Sequence, residues 1–259
     1  MKIKSITKNE CRNIPDEVLK LAYVSSLDSF EDWAYIWPNT NTDIWAVVIH
    51  GHGSNGDQLY TRPDIRKAWL PQLLEHNVSI LTPNLRDSAW MSPSAAGDLH
   101  DLLEYLRAEY GAQRFVFYSG SMGGTSNLIY AVLKPRDVDC VVALGAATDL
   151  ASYYNWCVKQ KVSLLDEIAD AISSSYGGAP DELPQVYKVH SVVCNFEKLT
   201  MPIYISHGTD DEIIPVSQVR LLNEKLSSNK NYRYKEIAGG GHDSPILNKD
   251  AFEWVMKLL

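Results

Sequence analysis

The chain has 259 residues, of which 45% are hydrophobic and 22% are charged. These values are ordinary for a folded, enzyme-sized protein and exclude a fibrous or disordered chain. Lysine and arginine total 24 against 32 acidic residues, for a net charge of -8. This balance argues against a surface that tracks phosphates, so no nucleic-acid partner is expected.

The first part of the chain begins with lysines that are not followed by an apolar run, MKIKSITKNECRNIPDE. This pattern predicts neither a signal peptide nor a transmembrane helix, and favours a cytoplasmic protein without a membrane partner. Two strand candidates, VLKLAYV and DWAYIW, then lie close together before Ile44. Their proximity suits an antiparallel edge of a sheet.

Five apolar runs with strand character follow in the rest of the chain. They are continuous rather than alternating, which is typical of strands covered on both faces. In chain order they are IWAVVIH from Ile44, VSILTP from Val78, RFVFYS from Arg114, VDCVVALG from Val138 and PIYISHG from Pro202.

Helical patterns lie between these strands. Ser92 and Pro93 suit the N-cap and first residue of a helix whose apolar residues, from Leu99 to Tyr110, share one face. Residues 123–133 and 216–226 are further helix candidates. Strands that alternate with helices predict the α/β class, with a mainly parallel sheet covered by helices on both faces. Residues 1–259 form one predicted domain, in which 149–200, with a helix near 164–172, is a small cap or insertion.

A candidate nucleophile lies in the run RFVFYSGSMGGTSNLIYAV, where Ser121 stands between a buried strand and a helix. Small residues stand two before and two after it, Ser119 and Gly123. A nucleophile elbow requires such small flanks because its turn is too tight for bulky neighbours. The usual pattern is G-x-S-x-G, and here Ser119 replaces the first glycine. Ser119 is a rival nucleophile, but it belongs to the strand.

A serine hydroxyl needs a base, and the base needs a third group to hold it, so the elbow predicts an acid and a histidine later in the chain. IYISHGTDDEIIPVSQ presents two carboxylates beyond a strand. Asp211 is preferred because of its position before Ile214 and Pro215, and Asp210 is the fallback. GGGHDSP then presents His242 after three glycines, which allow the backbone to return over the sheet edge.

The developing oxyanion needs two N–H donors. Met122, which follows the nucleophile at the helix N-terminus, is the first. The second is expected after an earlier strand, in VVIHGHGSNGDQ, where the strand is predicted to end at His50. The N–H of His52 is preferred there, and that of Gly53 is an alternative.

Neither a metal nor another cofactor is predicted. His50 and His52 lack a third ligand nearby, and their side chains suit a structural role in the loop. The four cysteines form neither a C-x-x-C pair nor a metal-ligand spacing, so free thiols are expected: Cys11, Cys140, Cys157 and Cys194.

These motifs together resemble the α/β-hydrolase superfamily, and more narrowly the catalytic domain of the prolyl oligopeptidase family and related small esterases. The narrower resemblance rests on YGGAPDELPQVYKVHS, then HGTDDEIIPVSQ, then GGGHD, and it covers the chain from Ile44 onward. It implies a triad with two oxyanion donors: Ser121, Asp211 and His242, with His52 and Met122.

Two departures from that family bear on the activity. Ser119 stands in place of glycine, and only some forty residues precede Ile44, where the oligopeptidases carry a β-propeller that helps to hold peptides. The resemblance therefore favours an esterase similar to acetylxylan, feruloyl or other carboxylesterases. The alternatives are a serine peptidase or acylaminoacyl hydrolase, and a noncatalytic hydrolase-like binding protein.

Five side chains are weak candidates for substrate contact. They follow strands at the sheet edge where ligands bind in such folds: Trp90, Met91, Tyr153, Tyr154 and Trp156. The alternative is that these side chains pack a small core in the insertion. The expected partner is a small-molecule ester, and the oligomeric state stays open, a homodimer included.

Overall fold

The computed structural model describes residues 1–247 and 249–259. In this part of the chain nine strands form one sheet. They are β1 (Lys2–Lys8), β2 (Leu19–Val24), β3 (Glu31–Trp37), β4 (Ile44–Val47), β5 (Ser79–Pro83), β6 (Arg114–Gly120), β7 (Cys140–Leu144), β8 (Ile203–Gly208) and β9 (Tyr232–Ile237).

The strand order in the sheet is β1-β2-β3-β5-β4-β6-β7-β8-β9. The first three strands pair antiparallel, and β3 also runs antiparallel to β5. All pairs from β5 to β9 are parallel. The predicted α/β class, the mainly parallel sheet and its antiparallel N-terminal edge are therefore confirmed. Strand β1 had no apolar signal because it is the outer strand and six of its seven residues are exposed.

The helices connect the parallel strands. They are α1 (Gln58–Thr61), α2 (Pro63–Glu75), α3 (Pro93–Tyr110), α4 (Met122–Leu133), α5 (Leu150–Gln160), α6 (Ser163–Tyr176), α7 (Pro184–His190), α8 (Ser217–Leu226) and α9 (Asp250–Met256), with three short 3-10 turns. Helix α3 begins at the predicted proline and ends before Gly111, which is in the left-handed region with φ 67°. The N–H of Gly111 closes that end on the carbonyl of Leu106.

The core lies on both faces of the sheet. Helices α2 and α9 cover one face, while α3, α4, α8 and the helical segment α5–α7 cover the other. This segment, which we call the cap, contains the helix predicted near 164–172, although α6 extends it in both directions. None of the described helices is long and apolar enough to cross a membrane. The four cysteines are free thiols, as expected.

Candidate active site

Ser121 lies at the junction of β6 and α4 in a strained conformation, with φ 57° and ψ −127°. Positive φ is rare for a residue other than glycine and marks a tight turn here. A Cβ at Gly123 would lie 2.1 Å from the carbonyl oxygen of Ile49, so this position requires glycine. A small residue is therefore required two positions after Ser121, because helix α4 packs tightly against the chain that follows β4.

Ser119 is fully buried and its hydroxyl is engaged in structure. Its Oγ accepts a hydrogen bond from the N–H of Ile49 at 2.8 Å and donates one to Oδ1 of Asn127 at 3.2 Å. Sheet pairing of β4 ends at Val47, three residues earlier than His50, and Ile49 bonds instead to this serine. The residue that departs from the usual motif thus joins β6, α4 and the loop after β4.

His242 lies between Ser121 and Asp211. Its Nε2 is 2.8 Å from Oγ of Ser121, and its Nδ1 is 2.8 Å from Oδ2 of Asp211. The other carboxylate oxygen, Oδ1, accepts the N–H groups of Ile213 and Ile214, each at 2.9 Å. The structure thus brings the three residues together in one hydrogen-bonded chain. Asp210 is exposed beside it.

The loop that carries His242 packs directly on the end of β8. A Cβ at Gly208 would lie 2.2 Å from the carbonyl oxygen of Gly240, so the two backbones approach closely. That same carbonyl accepts the N–H of Asp210 at 2.9 Å. This contact places His242 next to the turn that holds Asp211. In the sequence, the glycine of HGTDD, Gly208, indicated that the two backbones approach closely.

Asp211 stays ionised in this environment. Burial by itself raises its pKa, but hydrogen bonds from His207 and His242 and from the N–H of Ile214 outweigh burial and hold the pKa well below its ordinary value. A carboxylate that remains charged orients an imidazole and stabilises the imidazolium.

Two backbone N–H groups near Ser121 are available to donate hydrogen bonds to a substrate oxygen. The N–H of Gly51 donates to Gln58 at 2.9 Å, and that of Gly53 donates to Ser88 at 3.0 Å. Between them, the N–H of His52 has no hydrogen-bond partner among the described residues, and neither has that of Met122. Gly53, the alternative donor, is therefore already occupied.

The ring of His52 connects the loop to the cap. Its Nδ1 accepts the indole N–H of Trp90 at 3.3 Å, and its Nε2 lies 3.5 Å from the carboxylate of Glu167 on α6. Burial lowers the pKa of His52, and Glu167 opposes that effect in part. The neutral ring suits its contact with Trp90, because Nδ1 must be unprotonated to accept that hydrogen bond.

The five aromatic and apolar candidates for substrate contact lie behind the site rather than in it. Trp90, Met91 and Tyr153 are buried in the core between the cap and the sheet, and Tyr154 and Trp156 pack against that core. Trp90 instead supports His52.

A cleft with a cavity volume of about 200 Å³ opens above Ser121. One wall consists of Ile65, Trp69 and Ile246, and the indole N–H of Trp69 donates to the carbonyl of Ile246 at 2.9 Å. The opposite wall consists of Leu164 and Ile168 from α6, with Ile213. None of these six residues was predicted from the sequence. The i, i+4 spacing of the two α6 residues was a signal for an apolar face, but it did not show what that face covers.

Charged groups at the mouth of the cleft neutralise one another in part. Arg62 pairs with Asp64 at 2.8 Å and with Asp243 at 3.3 Å. Because the charge of Arg62 is shared by two carboxylates, this cation is compensated and does not attract an anionic ligand into the cleft.

One group of side chains outside the cleft has the spacing of metal ligands. His100, Glu104 and Asp137 offer atoms within 4.8 Å of one another. Arg107, however, forms ion pairs with both Glu104 and Asp137, and His100 bonds to Asp137 at 2.8 Å. The cluster is therefore an ion-pair network around a guanidinium, which supplies the positive charge a metal would bring.

A buried histidine connects the cap to the loop that carries Trp90. The hydroxyl of Tyr176 lies 2.9 Å from Nδ1 of His190 and 3.2 Å from the carbonyl oxygens of Trp90 and Met91. Burial lowers the pKa of His190 to about 4, and the carbonyl of Met91 opposes that effect only slightly.

This histidine makes the fold sensitive to acid. Below its ordinary pKa the unfolded chain binds a proton that the folded protein does not, so stability falls as the pH drops toward 4. Between pH 7 and 4.5 we expect this residue to cost about 2–3 kcal/mol in the free energy of unfolding. Urea unfolding of the wild type and His190→Gln at both pH values tests this, because the variant should lose that part of the difference. An equal pH difference in both proteins would rule it out.

Comparisons with known proteins agree with this fold. Residues 35–226 match the BD-FAE family, and no curated protein matches the chain. Among solved structures, the chain is similar to an esterase of Pyrococcus furiosus, with TM-score 0.66, 15% identity, and 93% of this chain and 90% of that chain covered. An S-formylglutathione hydrolase of Staphylococcus aureus gives TM-score 0.63 and 15% identity, and the match covers 93% of this chain and 95% of that chain. A putative dipeptidyl aminopeptidase IV of Bacteroides ovatus gives TM-score 0.68 and 13% identity. The match covers 93% of this chain but only 34% of that protein's chain.

Proposed function

Because the chain belongs to the BD-FAE family, which is of the α/β-hydrolase type, we propose that it is a serine hydrolase of carboxylic esters. The observation that carries this proposal is the hydrogen-bonded chain from Asp211 through His242 to Ser121. It ends at a cleft, beside two backbone N–H groups that have no partner among the described residues.

The proposed reaction has two steps. Nε2 of His242 takes the proton of Ser121 as Oγ attacks the ester carbonyl, and the N–H groups of His52 and Met122 stabilise the oxyanion. His242 then gives the proton to the leaving alcohol, and the acyl group stays on Ser121. In the second step His242 removes a proton from water, the hydroxide attacks the acyl carbon, and the acid is released as Ser121 regains its proton. Asp211 stabilises the imidazolium in both steps.

The cleft favours a neutral acyl group. Its two walls are apolar, and Arg62 at its mouth is already paired with two carboxylates. Its cavity volume of about 200 Å³ lies below the range of drug-sized ligand sites, which is roughly 300–1,000 Å³, and this favours a small acyl group. We therefore propose short-chain or carbohydrate-linked esters, acetyl or feruloyl, as the substrates.

Covalent labelling tests the nucleophile directly. A fluorophosphonate probe should react with the wild type, and peptide mass spectrometry should find the adduct on Ser121, because an activated serine attacks phosphorus and an inert one does not. A protein that stays unlabelled at neutral pH would be a hydrolase-like binding protein instead.

The same site is able to attack an amide, so a peptidase or acylaminoacyl hydrolase is the competing activity. The order of the triad motifs, which resembles that of the prolyl oligopeptidases, favours this alternative. Parallel assays with p-nitrophenyl acetate, acetylated and feruloylated sugars and an aminoacyl anilide separate the two. Hydrolysis of the anilide at a rate equal to that of the esters would favour the peptidase.

A further inference from the structure

A second imidazole lies on the carboxylate that holds His242. His207, in β8, is fully buried, and its Nε2 lies 2.8 Å from the carbonyl oxygen of Ile214 and 3.2 Å from Oδ2 of Asp211. It stands four residues before Asp211, across the turn that ends the strand. Nothing in the proposed reaction uses it.

The surroundings of the ring fix the position of its proton. Both atoms that face Nε2 are hydrogen-bond acceptors, so this nitrogen carries the proton and donates it. The other nitrogen, Nδ1, is buried and has no hydrogen-bond partner among the described residues. A buried polar atom that lacks a partner lowers stability, so the hydrogen bonds of Nε2, on the opposite side of the ring, must offset that cost.

The carboxylate of Asp211 is held at both oxygens. Oδ1 accepts two backbone N–H groups, from Ile213 and Ile214, while Oδ2 is shared by the imidazoles of His242 and His207. The last torsion of an aspartate side chain is broad, so hydrogen bonds rather than rotamer preference decide its angle. With His207 in place, Oδ2 is directed at Nδ1 of His242.

We propose that His207 is a positioning residue for the active site: its Nε2–H orients the carboxylate of Asp211 so that Oδ2 holds His242 in line with Ser121. This inference rests on the proposed hydrolase function. His207 touches neither the substrate nor the nucleophile, and acts only through Asp211.

The test compares three variants at position 207 and a matched control. His207→Phe keeps the bulk but removes the donor, His207→Asn is too short to reach Asp211, and His207→Gln places an N–H near the original Nε2. Ser206→Ala is the control, since it removes a buried hydroxyl that has no partner among the described residues, on the neighbouring residue of the same strand.

We expect kcat for p-nitrophenyl acetate to fall by about 10–100-fold in His207→Phe and His207→Asn, a range typical of lost outer hydrogen bonds, while KM stays within about threefold. His207→Gln should recover most of kcat, and Ser206→Ala should match the wild type. The low-field proton NMR signal of the Nδ1–H of His242, bonded to Asp211, should move or vanish in the first two variants and persist in the other two.

Distinct outcomes separate this inference from the proposed function. If the wild type reacts with a fluorophosphonate, but His207→Phe and His207→Asn keep its kcat and its low-field signal, the positioning role is wrong and the function stands. If the wild type is unreactive, the function is wrong, and the NMR signal still reports whether His207 orients Asp211. Should His207→Phe not fold, the contrast between Asn and Gln decides, and equal loss in both overturns the inference.

Discussion

Alanine in place of Ser121 should lower kcat for p-nitrophenyl acetate by about 10⁶-fold, as expected when the nucleophile of a triad is removed. The hydroxyl is 2.8 Å from Nε2 of His242, and no acyl-enzyme forms without it. Stopped assays at high enzyme concentration, with labelling by a fluorophosphonate as a second readout, measure the loss. Because the only hydrogen bond of Ser121 Oγ among the described residues is to His242, and alanine fits the same backbone, the thermal unfolding midpoint should not fall in parallel.

Ser119→Ala is the matched control for that variant. It also removes a serine hydroxyl two residues away, but this hydroxyl accepts from the buried N–H of Ile49 and donates to Asn127. We expect a loss of stability of about 1–3 kcal/mol from the unpaired N–H, with covalent labelling at Ser121 retained. Labelling that disappears in Ser119→Ala but survives in Ser121→Ala would reverse the assignment of the nucleophile.

The proximity of Ser121, Asp211 and His242 could be predicted from sequence because each follows a parallel strand, β6, β8 or β9, although β9 is only partly buried. Continuous apolar runs show where parallel strands end, and the carboxyl ends of such strands meet at one edge of the sheet. Ser121, Asp211 and His242 therefore come together from positions as far apart as 121 residues. The choice of Asp211 over Asp210 agrees with burial, since only the former is enclosed.

The cleft could not be predicted in the same way. Four of the six apolar residues in its walls come from α2 and α6, whose apolar faces have the same helical spacing as faces that pack into a core. Trp90 and Tyr153 follow strands at the correct edge, yet both fill the core under the cap, because the pattern of a sequence does not show on which side of a loop a ring lies. The role of Ser119 was equally hidden, since its partner Ile49 is 70 residues away.

Asparagine in place of Asp211 should lower kcat by about 10⁴-fold, although its size is almost unchanged. Oδ1 accepts two backbone N–H groups, so the amide oxygen must take that position and the NH₂ group must face His242 and His207. A donor then meets Nδ1 of His242, which has to give up its proton. The proton moves to Nε2, and this nitrogen is no longer able to accept the proton of Ser121.

The rate against pH distinguishes this wrong tautomer from a general loss of structure. In the Asn variant the activity should rise with hydroxide concentration above neutral pH, since hydroxide replaces the missing base, while the wild type should reach a plateau. Asp210→Asn is the control, because that carboxylate is exposed and accepts a hydrogen bond from Thr209 rather than from a triad residue. It should keep kcat within about threefold, as surface changes usually do. Equal losses in the two variants would show that charge at the sheet edge, rather than the hydrogen bond to Nδ1, activates His242.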